Sequence, residues 1–402
     1  MSPVRPTVAL AEPCFSRPLL PAIAAQADTA DTTRSIDPGV ITAIKAGPLL
    51  GLAASRELGG GEAGVAALGA ELAAVAAACS STAWCLWNHW SVFHLFCGAL
   101  GPEHAEFLSG IVADHEWVCF PAGAASRVFG TVEADEVVLR GPASFGSGSR
   151  YAEWAGVAFA LGDGTGAPRP EDLRFTVVRL DSPGVRIEPT WDGASMRASA
   201  TDTIHYDGAR VPLARCAPWF AANRAAAFRD PAVPMIHDRY REDWVGLSDI
   251  WLAHMAVGVL LAALDEAVAT IGGGRRAIMG AGMAAMPNVQ ANLGAVAAAA
   301  TTARMAAEAV AHDVDERLAR GELPTEDSFQ RQGAVSTTVL ALCQDAMSTL
   351  LRTLGGNGLR ESGSFERRWR DLTAMPIHIN AHPDRIHLRL GQFLLGVDNQ
   401  RF

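Results

Sequence analysis

Lysine occurs once in the 402 residues, at Lys45, and no two cysteines stand at C-x-x-C spacing. The seven cysteines (Cys14, Cys79, Cys85, Cys97, Cys119, Cys216 and Cys343) are odd in number and scattered. That excludes a disulfide framework or a structural zinc site and fits a reducing cytoplasm. A net charge of −10 leaves no concentrated basic surface, so nucleic acid is excluded as the main partner. The N-terminal twenty residues lack the continuous apolar core of a signal peptide. Formal charge is also missing from residues 72–102, a stretch long enough to span a bilayer. Ser80, Ser81, Asn88, His89, Ser91 and His94 interrupt it at mid-depth, where polar groups are costly. A buried helix of a soluble protein is therefore expected there, with no membrane contact.

Several motifs are absent as well. No G-x-S-x-G elbow and no dinucleotide-binding G-x-G-x-x-G opening a βαβ unit is found, so direct NAD(P)H binding is not expected. Gly272-Gly273-Gly274 has no P-loop lysine and ends a turn. His378 and His382 have i, i+4 spacing, but Pro383 follows and the Glu of H-E-x-x-H is missing. Two histidines leave a four-ligand shell half empty, so no metal is expected.

What is present falls into three textures. Residues 17–115 read as helical, with Ala-rich runs at 63–78, 82–99 and 103–112 broken at Pro38-Gly39, 58–61 and Gly101-Pro102. From 117 to 213 short β-prone runs appear at 117–120, 137–139, 154–161, 175–180, 185–188 and 203–206. The Gly- and Pro-rich stretch 162–169 is expected as an exposed turn. Long helical segments return at 249–271, 288–319 and 325–354, as in an antiparallel bundle.

Five local strings occur within that order. They are Phe120-Pro121-Ala122-Gly123-Ala124 followed by Gly141 to Trp154 (GPASFGSGSRYAEW), and Trp191 to Ala200 (WDGASMRASA) leading to Ala209-Arg210-Val211-Pro212. Next are Gly274 to Gly280 (GRRAIMG) with Pro287-Asn288-Val289-Gln290, then Leu354-Gly355-Gly356-Asn357-Gly358, and Phe365 to Asp371 (FERRWRD). Together they resemble the acyl-CoA dehydrogenase superfamily over nearly the whole chain. The resemblance implies an α+β fold of three parts. These are an N-terminal helical domain (1–115), a middle antiparallel β-barrel or sandwich domain (116–225) and a C-terminal four-helix bundle (226–402).

In many dehydrogenases of that superfamily a Glu soon after the "RD" removes the substrate α-proton. Here residues 372–383 hold no carboxylate, and His378 stands seven positions after Asp371. That departure, with Phe145-Gly146-Ser147-Gly148, is similar to the monooxygenase branch. It implies the oxygenase component of a two-component flavin-dependent monooxygenase. Reduced FMN or FAD would arrive from a separate flavin reductase, with O₂ as co-substrate. A C4a-hydroperoxyflavin would then hydroxylate an aromatic or polyketide-like substrate or oxidise an amine. A homotetramer or homodimer is implied. The alternatives are an FAD-dependent acyl-CoA dehydrogenase whose base has moved to Asp249, or a non-catalytic relative of the same fold.

On this reading His378 is the proton-handling residue, because an imidazole titrates near neutrality. Ser147 is expected to offer its hydroxyl and Gly148 its backbone N–H to the flavin edge, where Gly permits close approach. Trp154 is the expected stacking partner. The resemblance assigns Arg276 to a flavin phosphate from a neighbouring subunit, beside Gly355 and Gly356; Arg275 competes for that role. Trp84, Asn88 and His89, with Trp87, Trp90 and His94, would form an aromatic substrate pocket with a few polar contacts.

Overall fold

The computed structural model describes residues 13–122, 126–165, 168–219, 230–276, 280–361 and 363–397. Gly123-Ala124 of one string, Ala277 to Met279 of another, part of the 162–169 turn and the expected 225/226 boundary lie outside them. Five helices open the chain: α1 (Leu20–Thr33), α2 (Pro38–Ala46), α3 (Val65–Ala78), α4 (Ser80–Leu100) and α5 (Ala105–Ala113). Eight strands follow: β1 (Val118–Cys119), β2 (Phe129–Glu133), β3 (Glu136–Gly146), β4 (Trp154–Leu161), β5 (Leu173–Arg179), β6 (Val185–Glu188), β7 (Asp202–Pro212) and β8 (Ala217–Pro218). The last helices are α6 (Trp244–Gly272), α7 (Pro287–Ala319), α8 (Glu326–Leu354), α9 (Ser364–Ala374) and α10 (Pro383–Leu394).

The uncharged stretch forms α3 and α4. Helix α4 is buried on nearly every side because α3, α6 and the sheet all pack against it. Ser91 and both histidines of the helix find backbone partners instead of water, as most buried polar groups do. Ser91 Oγ–H donates to the Trp87 carbonyl at 2.8 Å, and His94 Nε2 pairs with the Glu242 carbonyl at 2.8 Å.

The strands form one sheet in the order β6-β7-β3-β2-β4-β5-β8, with β1 beside β4. The expectation of antiparallel pairing needs one correction: β4 runs parallel to both β1 and β2. Leucine-, valine- and phenylalanine-rich faces of β3, β4, β5 and β7 close over a core of their own. The expected four-helix bundle consists of three long helices, α6, α7 and α8, completed by the short α9 and α10.

Helix α3 lies along α6 at backbone contact. A Cβ on Gly258 would stand 2.0 Å from the Ala73 carbonyl oxygen. Gly258→Ala should therefore push the helices apart at a cost of about 2–3 kcal/mol, the range for overpacking a tight core. Chemical denaturation at equilibrium checks this.

Candidate active site

A cavity of about 370 Å³ opens where β3 and β7 meet the start of α4 and the turn after α9. A larger depression of about 800 Å³ over β2, β4 and β5 contains none of the expected catalytic residues. Trp84 reaches the smaller cavity from the first turn of α4, and Ser147 from the turn after β3. His378 enters after a short 3-10 turn (Met375–Ile377) that follows α9.

The floor is a chain of hydroxyls. Trp84 Nε1–H donates to Ser147 Oγ at 3.0 Å. Ser147 Oγ pairs with Thr201 Oγ1 at 3.0 Å, and Thr201 Oγ1 with Ser199 Oγ at 2.6 Å. All three hydroxyl residues are buried. Ser199 and Thr201 meet because Ala200 between them turns in the left-handed region at φ 48°, which folds their side chains together just before β7. Each hydroxyl can donate once, so if Ser199 donates to Thr201 and Thr201 to Ser147, the Ser147 proton is free for the cavity.

The imidazole of His378 is half-buried and edge-on to two indoles, with centroids 5.5 Å from Trp84 and 4.9 Å from Trp87. Burial, helped by the nearby Arg385 charge, pulls its pKa down to about 4. The Asn380 N–H donates to His378 Nδ1 at 3.4 Å, which leaves the proton of the neutral ring on Nε2. The expectation of a group poised near neutrality is thereby revised. This histidine is a neutral ring whose Nε2–H is a donor.

The opposite wall, Gly193 to Met196, is pinned to α9. Met196 N–H donates to Asp371 Oδ1 at 2.7 Å, Ser195 Oγ–H to the Arg370 carbonyl at 2.8 Å, and Arg370 Nη1 to the Ala194 carbonyl. Met196 sits at φ 48°, a conformation that needs such support outside glycine. Burial raises the Asp371 carboxyl to about 6 despite the Met196 N–H. Phe145, at φ 65° and 55% exposed, stands at the mouth with its ring centroid 6.4 Å from that of Trp191.

Other expected site residues lie elsewhere. Both nitrogens of His89 are already used: Nε2 pairs with the Leu50 carbonyl at 3.0 Å and Nδ1 accepts from Val118 N–H at 3.0 Å. The ring ties α4 to β1, and burial lowers its pKa to about 4. This geometry corrects the expected substrate contact. His89→Leu would orphan both backbone groups and should cost about 2–4 kcal/mol in stability. Thermal unfolding and steady-state kinetics together check this, with substrate KM expected to stay put. Gly148, at φ 81°, spends its N–H on the Ser199 carbonyl at 2.8 Å, so that donor is not available to a ligand. Trp154 lies beside Phe107 with its Nε1–H on Glu116, under the Arg179 guanidinium, and does not line the cavity. Asn88 follows Trp84 by one helical turn, and its buried Oδ1 has no partner. Arg276 is exposed and donates to the Gly280 carbonyl at 3.1 Å; Gly355 and Gly356 are exposed too. Asp249 is buried on α6, next to Ser248, whose carbonyl accepts from Trp87 Nε1–H at 2.8 Å. Its Oδ1 has no partner, and burial pushes its carboxyl to about 8 against the pull of Arg389 and Arg385.

A flat aromatic cofactor fits these walls. The rings of Trp84, Phe145 and Trp191 flank the space, Phe145 is exposed in a strained conformation, and the Ser147 hydroxyl faces inward. Among the described residues no arginine or lysine lines the cavity, so a phosphorylated tail would have to be met from outside it.

Comparison with known proteins points the same way. Residues 250–383 match the family described as "Acyl-CoA dehydrogenase, C-terminal domain". The chain is 27% identical over 396 residues to a pigment production hydroxylase of Rhodococcus sp. (strain ATCC 21145), covering 94% of this chain and 95% of that one. It is 25% identical over 358 residues to the FADH(2)-dependent resorcinol hydroxylase oxygenase component of Rhizobium sp. (strain MTP-10005), covering 81% and 79%. The fold superposes on XiaF from Streptomyces sp., solved with FADH2 and glycerol, at a TM-score of 0.85 and 19% identity over 96% of this chain and 95% of that one. The match to that domain over residues 250–383, the acyl-CoA dehydrogenase-like fold and the likeness to these hydroxylases over most of the chain together identify a flavin-dependent monooxygenase.

Proposed function

We propose that the ring of reduced FMN or FAD lies in the Ser147–His378 cavity. There the enzyme inserts one atom of O₂ into an electron-rich aromatic or polyketide-like substrate, or oxidises an amine. Bound there, the reduced flavin supplies the activation of O₂. The chain supplies orientation, dryness and proton placement. Ser147, with Trp84 filling one lone pair and Thr201 the other, directs its hydroxyl proton at the ring edge or the bound oxygen. His378 holds a substrate oxygen through Nε2–H and favours its ionised form, as a neutral imidazole donor can without first losing a proton. Trp84 and Trp87 exclude water around it. The single observation that carries this reading is that an indole-supported hydroxyl and a neutral imidazole share one aromatic-walled cavity.

The exposed Arg276, Gly355 and Gly356 serve the flavin phosphate of a neighbouring copy in a homotetramer or homodimer; a guanidinium suits phosphate oxygens. A separate reductase delivers the flavin, in the cytoplasm. Substrate turnover with FMNH₂ and FADH₂ in parallel, in the presence of O₂, tests the assignment. The protein should purify nearly colourless, form product with at least one of the two, and fail to reduce an acceptor dye without O₂. A yellow protein with tightly held FAD that reduces the dye would favour the dehydrogenase alternative with Asp249 as base.

A further inference from the structure

The Gly193–Met196 wall is held by α9 on one side and met from outside by the end of α1. Arg34, the C-terminal cap of α1 at φ 57°, donates from Nη1 to the Gly193 carbonyl at 3.1 Å. Asp31, three residues earlier, reaches the other end of the wall. Its Oδ2 accepts from Arg197 Nη1 at 3.4 Å, and Arg197 directly follows Met196. The same oxygen accepts from Arg370 Nη2 at 2.8 Å. Neither Asp31 nor Arg34 lines the cavity.

One carboxylate oxygen therefore stands between two guanidiniums, one at the end of the wall and one on the helix that leads to His378. The two arginines are not equally provided for. Arg370 also donates from Nε to Glu366 Oε1 at 2.5 Å and spends Nη1 on the Ala194 carbonyl. Among the described residues Arg197 has no carboxylate but Asp31 within ion-pair reach, and its buried Nε has no partner. Exposed ion pairs contribute little because water and salt screen them. Here the Asp31 and Arg370 side chains are only 15% and 11% exposed, so the balance of charge between them is felt more strongly.

Without the Asp31 charge, two cations would oppose each other across the junction of wall and α9 and push it open. The bonds from Met196 N–H to Asp371 and from Ser195 Oγ–H to the Arg370 carbonyl cross that same junction. Met196 at φ 48° depends on them to keep its conformation.

We propose that Asp31 is a positioning residue for the oxygenation: by neutralising Arg197 and Arg370 together it keeps the wall closed on α9 and fixes the width of the cavity. Its link to turnover rests on the reading of the Ser147–His378 cavity given above, whereas the charge balance itself does not. Amide hydrogen exchange of the ligand-free full chain, followed by mass spectrometry in peptides spanning 190–197, tests that balance. Asp31→Asn should exchange there about tenfold faster, the sign of local opening, with β3 peptides unchanged. Asp31→Asn combined with Arg197→Gln, which removes one of the opposed cations, should return to within about threefold of the parent. Loss of a simple tether would not be mended by a second deletion. In turnover Asp31→Asn should raise substrate KM about five- to tenfold with less than about twofold change in kcat, and the double variant should reverse it. Exchange in Asp31→Asn equal to the parent, a double variant no slower to exchange than the single one, or an unmoved KM would overturn the proposal. The expected exchange pattern in a chain that oxygenates nothing would instead sink the reading of the cavity and leave the charge balance standing. Should Asp31→Asn fail to fold, Arg197→Gln alone decides. It removes a cation and keeps Asp31, so wall exchange should stay within about threefold of the parent, and a rise of about tenfold would refute the role.

Discussion

His378→Phe is expected to lower product formation by about 10²–10³-fold, the usual effect of removing one positioned donor or proton-handling side chain. Phenylalanine preserves the edge-on packing against Trp84 and Trp87 and removes only the nitrogens. A structural role would therefore survive this change, whereas donation would not. Reduced flavin should still be consumed, with hydrogen peroxide released in place of product. The measurement is the ratio of product to peroxide in single turnover; an unchanged ratio would remove His378 from the mechanism. The pH profile adds a second reading. With its pKa pulled down to about 4, the ring stays neutral across the working range, so no loss of rate near pH 6.5 should trace to it. The unfolded chain takes up that proton near the ordinary histidine value, so stability from this residue is lost as pH falls from about 6.5 toward 4.

Asp249→Asn should produce the largest stability change. In the folded chain this buried carboxyl holds its proton up to about pH 8, while the unfolded reference loses it near 3.8. Between those values the folded state binds the extra proton, so stability falls as pH rises and the loss is complete above about 8. The gap corresponds to on the order of 5 kcal/mol. An amide of the same shape carries no such dependence. The variant should match the parent near pH 4 and exceed it progressively up to pH 8, which denaturant titrations at several pH values would show. Parallel curves at all pH values would mean the carboxyl is ionised in the folded state. If Asp249 were instead a dehydrogenase base, the same substitution would abolish acceptor-dye reduction. The two measurements separate a structural acid from a catalytic one.

The sequence carries part of this site openly. Helix α4 is readable because its apolar residues run all round, and polar ones at mid-span argue for burial inside protein. His378 is readable through its distance from Asp371, and Ser147 through the Phe-Gly-Ser-Gly string; both line the cavity. Thr201 and Ser199 are not singled out in advance. Nothing in their spacing signals them, because a left-handed Ala200 brings them together and the approach of Ser147 from β3 completes the relay. His89 misleads for the opposite reason. A histidine among tryptophans reads as a ligand contact, and only the tertiary positions of Leu50 and Val118 reveal that its nitrogens are taken. The same holds for Gly148, whose N–H is claimed by the Ser199 carbonyl in the loop before β7. Strand β2 escapes the β-prone runs because Gly130 breaks its pattern. The structure explains the glycine, since a Cβ there would strike Val137 and Phe159.

Helix α9 clasps the Gly193–Met196 wall through Arg370 and Asp371 and, one short turn later, delivers His378. Both jaws of the cavity thus hang from a single rod, which helps to gauge the gap between them, with Arg34 steadying one jaw through the Gly193 carbonyl. A substitution on α9 far from any ligand would shift the two jaws in concert, resizing the chamber for a broader or slimmer molecule without unseating the chemistry. Variation in which substrates are accepted can then arise from a helix that meets the cavity only at its last residue, Ala374.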